Sequence, residues 1–201
     1  GFDKKFRKYN EVDEAKATAN MHDINYIVTY VDADVILEQI NKAEKIVILT
    51  HENPDGDAMG SSLAMYHALK AYGKNPDLVI PEHPKVFDCL PGINEIKTET
   101  NIEHYDLAIS LDCASIKMLN GFAQYFENAK EKVCIDHHGT NTMFGDYNYV
   151  NPDAPACAQI LLVILEYFGI EITKEIGTCI LAGIITDTGG FKYQGVTAET
   201  F

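Results

Sequence analysis

Ile46-Val47-Ile48-Leu49-Thr50-His51-Glu52-Asn53-Pro54-Asp55-Gly56-Asp57 is the stretch on which the fold reading turns. An apolar run reads as a buried strand. It feeds a turn that holds one imidazole and two carboxylates, and a helical pattern begins at Ala58. A strand ending in good metal ligands is what the carboxyl edge of an open α/β sheet requires of a site. The residues also have a purely structural reading, in which Pro54 and Gly56 make a turn, Asp57 caps the next helix and His51 is merely its partner.

Downstream, the pattern repeats. Ala58 to Tyr72 places Met59, Leu63, Tyr66 and Leu69 at helical spacing and stops at Gly73, a C-cap signal. Further strands are expected over Asp77–Ile80, Asp106–Leu111 and Lys132–Ile135, with a loop-rich connection marked by Pro81, Pro84 and Pro91-Gly92. A helix is expected over 120–129, and two dense apolar helices over Ala156–Phe168 and Thr173–Thr186. Upstream, Asp34 reads as the cap of a helix running to Ala43. Strands alternating with helices imply right-handed crossovers. The expected class is α/β, a three-layer and mostly parallel sheet flanked by helices.

Residues 1–30 read as a polar extension, and 31–201 as one catalytic-size domain. Thr197-Ala198-Glu199 looks like the start of a helix, which suggests that more chain once followed. Five well-separated cysteines form no C-x-x-C pair, so neither a disulfide framework nor a zinc knuckle is implied, and a reducing cytoplasm fits. No apolar run approaches the roughly 18 residues of a membrane span. A net charge of -14 argues against a broad grip on long nucleic acid. It leaves room for a short phosphorylated ligand held through bound cations.

Three further motifs carry ionisable groups to strand or helix ends. Asp112 follows Leu107-Ala108-Ile109-Ser110-Leu111 and could equally cap a helix. Asp136-His137-His138 follows the Lys132 strand, and adjacent residues leave a strand in opposite directions, so one histidine would face a metal and the other a substrate. Asp187 closes an apolar helix, where the dipole disfavours a carboxylate and calls for a compensating cation. Taken together, Asp55, Asp57, Asp112 and Asp187 with His51 and His137 are too many hard ligands for one small ion. Two ions with Asp112 as the bridge are expected. Thiolate-free carboxylate and imidazole ligation favours Mn²⁺, with Mg²⁺ or Co²⁺ as alternatives.

In His51-Glu-Asn-Pro-Asp-Gly-Asp57, Ser110-Leu-Asp112, Asp136-His-His-Gly-Thr-Asn141 and Thr186-Asp-Thr-Gly189 the sequence resembles the DHH phosphoesterases, over about residues 31–195. Within that family it is most similar to the bacterial bifunctional oligoribonucleases and pAp phosphatases. The resemblance implies a two-Mn²⁺ site with His51, Asp55 and Asp112 on one ion, and Asp57, Asp112, His137 and Asp187 on the other. It implies catalytic roles for Asp112, His138 and Asp136, with His138 at the scissile phosphate or leaving group and Asp136 orienting a histidine. Asn141 and Lys192 join His138 as implied substrate contacts. Two departures stand out. Ala154-Pro155-Ala156-Cys157 lacks the hydroxyl that family members often carry there, and Lys192 stands where close relatives tend to have Arg.

The implied activity is hydrolysis of short RNA or of 3′-phosphoadenosine 5′-phosphate (pAp) by a metal-bridging hydroxide, with no membrane partner and a homodimer allowed. Pyrophosphate, or a cyclic dinucleotide and its linear product pApA, is the alternative substrate. A non-catalytic nucleotide-binding module is the alternative of a different class. The resemblance also implies a C-terminal substrate-binding domain that this chain lacks, and hence weak turnover by the DHH domain alone.

Overall fold

A computed structural model describes residues 33–80, 82–193 and 195–201, so the polar extension lies outside the described residues. Six strands form one sheet: β1 (Ile46–Leu49), β2 (Asp77–Val79), β3 (Ile96–Lys97), β4 (Leu107–Leu111), β5 (Glu131–Asp136) and β6 (Tyr147–Val150). Their order is β3-β2-β1-β4-β5-β6, and every pairing is parallel. Purely parallel strands need cover on both faces, which is why β1 and β4 are buried at every residue and read as continuous apolar runs.

Side-chain alternation sorts those runs into two cores. Ile46 and Ile48 of β1, Leu107 and Ile109 of β4 and Val133 and Ile135 of β5 face one way. They meet α1 (Ala33–Lys42), α2 (Gly56–Ala71), α4 (Cys157–Tyr167) and α5 (Lys174–Asp187). Val47, Leu49 and Ala108 face the other way, onto the short α3 (Ala123–Glu127) and the 3₁₀ turn Ile116–Phe122, through Leu119 and Phe126. The result is the expected three-layer α/β sandwich, with the heavier helical layer on one side.

Several boundaries differ from the sequence reading, each for a local reason. α1 has already begun at Ala33, so Asp34 lies inside its first turn and is not its cap. α2 starts two residues early because Asp55 caps it, accepting from the amides of Asp57 and Ala58 at 3.0 Å each. The expected helix over 120–129 is broken, because Asn120 leaves helical geometry (φ 43°, ψ -121°) between the 3₁₀ turn and α3. β6 was not anticipated at all. Residues 197–200 form a turn closed by the Thr200 amide on the Thr197 carbonyl, and no helix follows within the described residues.

β1 is the point from which the chain first builds outward to β2 and β3 and then returns to its other side through β4. In doubly wound sheets a crevice opens at such a switch point, beyond the carboxyl ends of the strands. The register pairs Leu49 with Ser110 and Leu111 with Ile135. His51, Asp112 and the Asp136-His137-His138 triplet therefore leave neighbouring strands at the same end.

Candidate metal centre

At the switch point the side chains gather into three overlapping groups whose ligand atoms lie within 4.8 Å of one another: His51, Asp55 and Asp112; Asp57, His137 and Asp187; and Asp112, His137 and His138. Asp112 is the common member of the first and third groups, and its Oδ1 is 3.5 Å from His137 Nε2. All six residues that the sequence suggests as ligands are thus brought to one crevice. Asp112 lies between the two ligand groups, where the sequence puts the bridge.

Each of these side chains is held from behind. The Asp55 carboxylate is anchored by the first amides of α2, as described above. Asp57 is buried, and its two oxygens accept the amides of Cys157 (2.6 Å) and Ala158 (2.9 Å) at the start of α4. The N-cap residue of α4 is Ala156, which has no side chain to offer, so a carboxylate from α2 caps this helix in its place. His137 Nδ1 is 3.2 Å from the Ala154 carbonyl, which makes it the donor and turns Nε2 toward Asp57, Asp112 and Asp187. Ala154-Pro155-Ala156-Cys157, where the sequence lacks a hydroxyl, together with Ala158, holds two of the candidate ligands through its backbone.

The remaining motif residues form a relay. Asp136 is fully buried; its Oδ1 is 2.7 Å from His138 Nδ1, and its Oδ2 accepts from Asn141 Nδ2 at 2.6 Å. Asp136 thus acts through His138 and fixes its tautomer, which leaves Nε2 for the crevice. Asn141 also donates to the Cys113 carbonyl and accepts the Met143 amide. Both ends of its amide are engaged within the protein, which fixes the loop that follows the triplet. Lys192 is exposed beyond the end of α5 and belongs to none of the three groups.

Burial and the crowding of carboxylates set the electrostatics of the crevice. Burial, reinforced by the neighbouring carboxylates, raises the pKa of Asp112 well above the ordinary range. Burial also pushes Asp57 up to about 7 against the pull of its two amides, and it raises Asp187 despite His137. His51 is lowered, mainly by burial. His138 is raised, mainly by its hydrogen bond to Asp136. For Asp136 burial works upward, but the hydrogen bonds from His138 and Asn141 overcome it and hold the carboxyl low.

Among the described residues, buried Asp112 Oδ1 has no hydrogen-bond partner. Asp112 also sits at φ 56°, a left-handed conformation that costs a non-glycine residue of order 1 kcal/mol or more and that clusters at functional sites. An orphaned, strained, buried carboxylate among three others and three imidazoles is a donor set that fits divalent cations.

The fold and the site together define a class: a doubly wound α/β domain whose crevice gathers carboxylates and imidazoles able to hold metal ions. The DHH family, N-terminal domain, matches residues 45–184, and the chain belongs to that family. It is 38% identical over 156 residues to the bifunctional oligoribonuclease and PAP phosphatase NrnA of Thermus thermophilus, an alignment covering 77% of this chain and 46% of the relative. Its counterpart in Bacillus subtilis is 22% identical over 169 residues, covering 82% and 53%. The chain spans about half the length of the curated relatives it matches. Among solved structures, an exopolyphosphatase-related protein from Bacteroides fragilis superposes with a TM-score of 0.77 at 29% identity, covering 83% of this chain and 53% of that one.

Proposed function

We propose that this domain hydrolyses phosphoesters of short oligoribonucleotides and of 3′-phosphorylated nucleotides such as pAp. Similarity to relatives named as bifunctional oligoribonuclease and PAP phosphatase supports the substrate class. The observation that carries the chemistry is Asp112, buried and without a hydrogen-bond partner between the His51/Asp55 and Asp57/His137/Asp187 ligand groups. In the proposal His51, Asp55 and Asp112 hold one divalent cation, and Asp57, Asp112, His137 and Asp187 hold the other, with Mn²⁺ as the ion of choice. When bound, such a pair supplies Lewis acidity to the phosphoryl group and a water acidified enough to attack near neutral pH.

The protein's own contribution is positional. The α2 and α4 amides aim Asp55 and Asp57, and the Ala154 carbonyl aims His137, so the ligands need not reorganise during the reaction. Asn141 and Asp136 hold His138 with Nδ1 protonated. Asp136 also raises the His138 pKa, so the imidazolium carries a second proton on Nε2 that it can give to the departing oxygen. Five free thiols, one of them exposed, support a reducing cytoplasm as the working compartment. Among the described residues, no helix is long and apolar enough to cross a membrane.

Asp112→Asn tests the proposal. It keeps the shape but removes the charge shared by both ion sites, so Mn²⁺ content and turnover of pAp should both fall by about two orders of magnitude or more. Near wild-type turnover would overturn the reading. Parallel assays of pAp, a dinucleotide, linear pApA and pyrophosphate rank the substrates.

A further inference from the structure

Outside the ligand groups, a cavity of about 500 Å³ is lined by Glu52, Asn53, Pro54, Glu82, His83 and Pro84. It is a depression open to solvent, with Glu52, Asn53, Glu82 and Pro84 exposed, His83 partly buried and Pro54 buried. Three of these residues, Glu52, Asn53 and Pro54, are the whole segment between the ligands His51 and Asp55, so cavity and metal centre share one loop. That loop is pinned by the Glu52 amide on the Met118 carbonyl at 2.8 Å. The opposite wall comes from the connection between β2 and β3. There His83 Nε2 lies 3.1 Å from Asp88 Oδ1, which anchors the ring.

The chemistry of the lining is selective. Two glutamates and no Lys or Arg line the cavity, which makes it unsuited to a phosphate. Ionised carboxylates only accept hydrogen bonds, so they favour a neutral ligand edge rich in N–H groups. The His83 imidazole, anchored by Asp88, offers a flat surface for stacking, and the Asn53 amide can both donate and accept. Guanine fits this description best, because adjacent N1–H and N2–H groups match one carboxylate in a bidentate pair. Adenine and cytosine offer one amino group each. Uracil offers a single N3–H flanked by two carbonyl oxygens that a carboxylate repels.

We infer that this cavity is a nucleobase subsite that selects bases with a donor edge, guanine above uracil, for the nucleotide adjoining the scissile phosphate. The inference rests on the proposed phosphoesterase reading, and it gives the site a sequence preference that the ligand groups alone do not supply. One good bidentate pair is worth roughly 1–3 kcal/mol of discrimination, about fivefold to 150-fold.

Two measurements on the full chain test it. The first is the ratio of kcat/KM for GpG over UpU in Mn²⁺, expected at about tenfold or more and falling to about twofold or less in Glu82→Gln and in His83→Ala. The second is saturation-transfer NMR with guanosine and uridine in EDTA, which needs no turnover. Guanosine should bind, uridine should not, and Glu82→Gln should abolish the guanosine signal. Equal turnover of GpG and UpU, guanosine displaced by inorganic phosphate, or an unchanged preference in both variants would overturn the subsite. Selective guanosine binding without hydrolysis of either dinucleotide would instead refute the phosphoesterase reading and leave the subsite standing.

Discussion

Gly60→Ala sets two physical effects against each other. Gly60 lies inside α2, and in an exposed helix the added methyl would stabilise by about 0.8–1 kcal/mol through helix propensity. Here a Cβ would sit 2.5 Å from the Cys179 carbonyl oxygen, 2.8 Å from the Gly183 nitrogen and 3.0 Å from the Gly183 Cα, all backbone atoms of α5. Backbone cannot rotate away as a side chain can, so the helices must part by several tenths of an ångström. Overpacking of this kind costs roughly 1–3 kcal/mol, and rigid backbone on the far side puts it near the top of that range. The net expectation is a loss of about 2 kcal/mol, or about 4–8 °C in Tm for a domain of this size. The same opening separates Asp57 on α2 from Asp187 on α5, whereas a site of this kind needs placement within about 0.5 Å. Mn²⁺ affinity by titration calorimetry should fall about tenfold or more. A Tm raised by the propensity gain, with Mn²⁺ affinity intact, would refute the argument that a glycine seam sets the ligand spacing.

Other perturbations probe the relay, the charges and the thiols. Asn141→Ala leaves a buried oxygen of Asp136 short of a partner and should cost about 1–3 kcal/mol. Asn141→Asp, closer in shape, should be worse because it sets a second carboxylate beside Asp136, and equal melting temperatures would refute the relay. In EDTA the protein should lose stability as pH rises from 5 to 8. Asp57, with its pKa raised to about 7, binds a proton in the folded state that the unfolded chain has already released above the ordinary carboxylate value. Mn²⁺ should reverse that loss at pH 8, and a melting temperature in EDTA that climbs over this interval would refute the sign. Cys89 is exposed, whereas burial pushes Cys134 and Cys179 up to about 12 and raises Cys113 and Cys157 as well. A thiol reagent should therefore find one fast group in the native protein and five after unfolding; two or more fast groups would refute it.

Sequence carries most of the fold because the parallel strands announce themselves. Ile46–Leu49 and Leu107–Leu111 are apolar at nearly every position, as burial on both faces demands, and the turn residues between strands and helices are strong. β6 escapes because Tyr147-Asn148-Tyr149-Val150 is a four-residue edge strand beside β5 alone, and it lacks the unbroken apolar run of the inner strands. At the site, ligand types and their positions at element ends are legible from spacing. What spacing cannot show is backbone hydrogen bonding over long range. The amides of Cys157 and Ala158 that hold Asp57 belong to residues about a hundred positions away, and amides are alike whatever the side chain. Asp55 and Asp57 are both cap-forming residues two positions apart. Only the path of the chain shows that Asp55 caps its own helix while Asp57 caps a distant one.

That long reach has a consequence for how the molecule comes into being. His51, Asp55 and Asp112 are contributed by the first part of the domain and can meet once β1 and β4 have paired. Asp57 gains its amide partners only when α4 arrives, and its group closes only with Asp187 at the end of α5. During synthesis the nascent chain thus passes through a stage with one complete ligand triad and the other unfinished. The Asp57, His137 and Asp187 group is thus the last part of the crevice to be completed, so the order in which the chain is delivered sets the order in which the crevice is built.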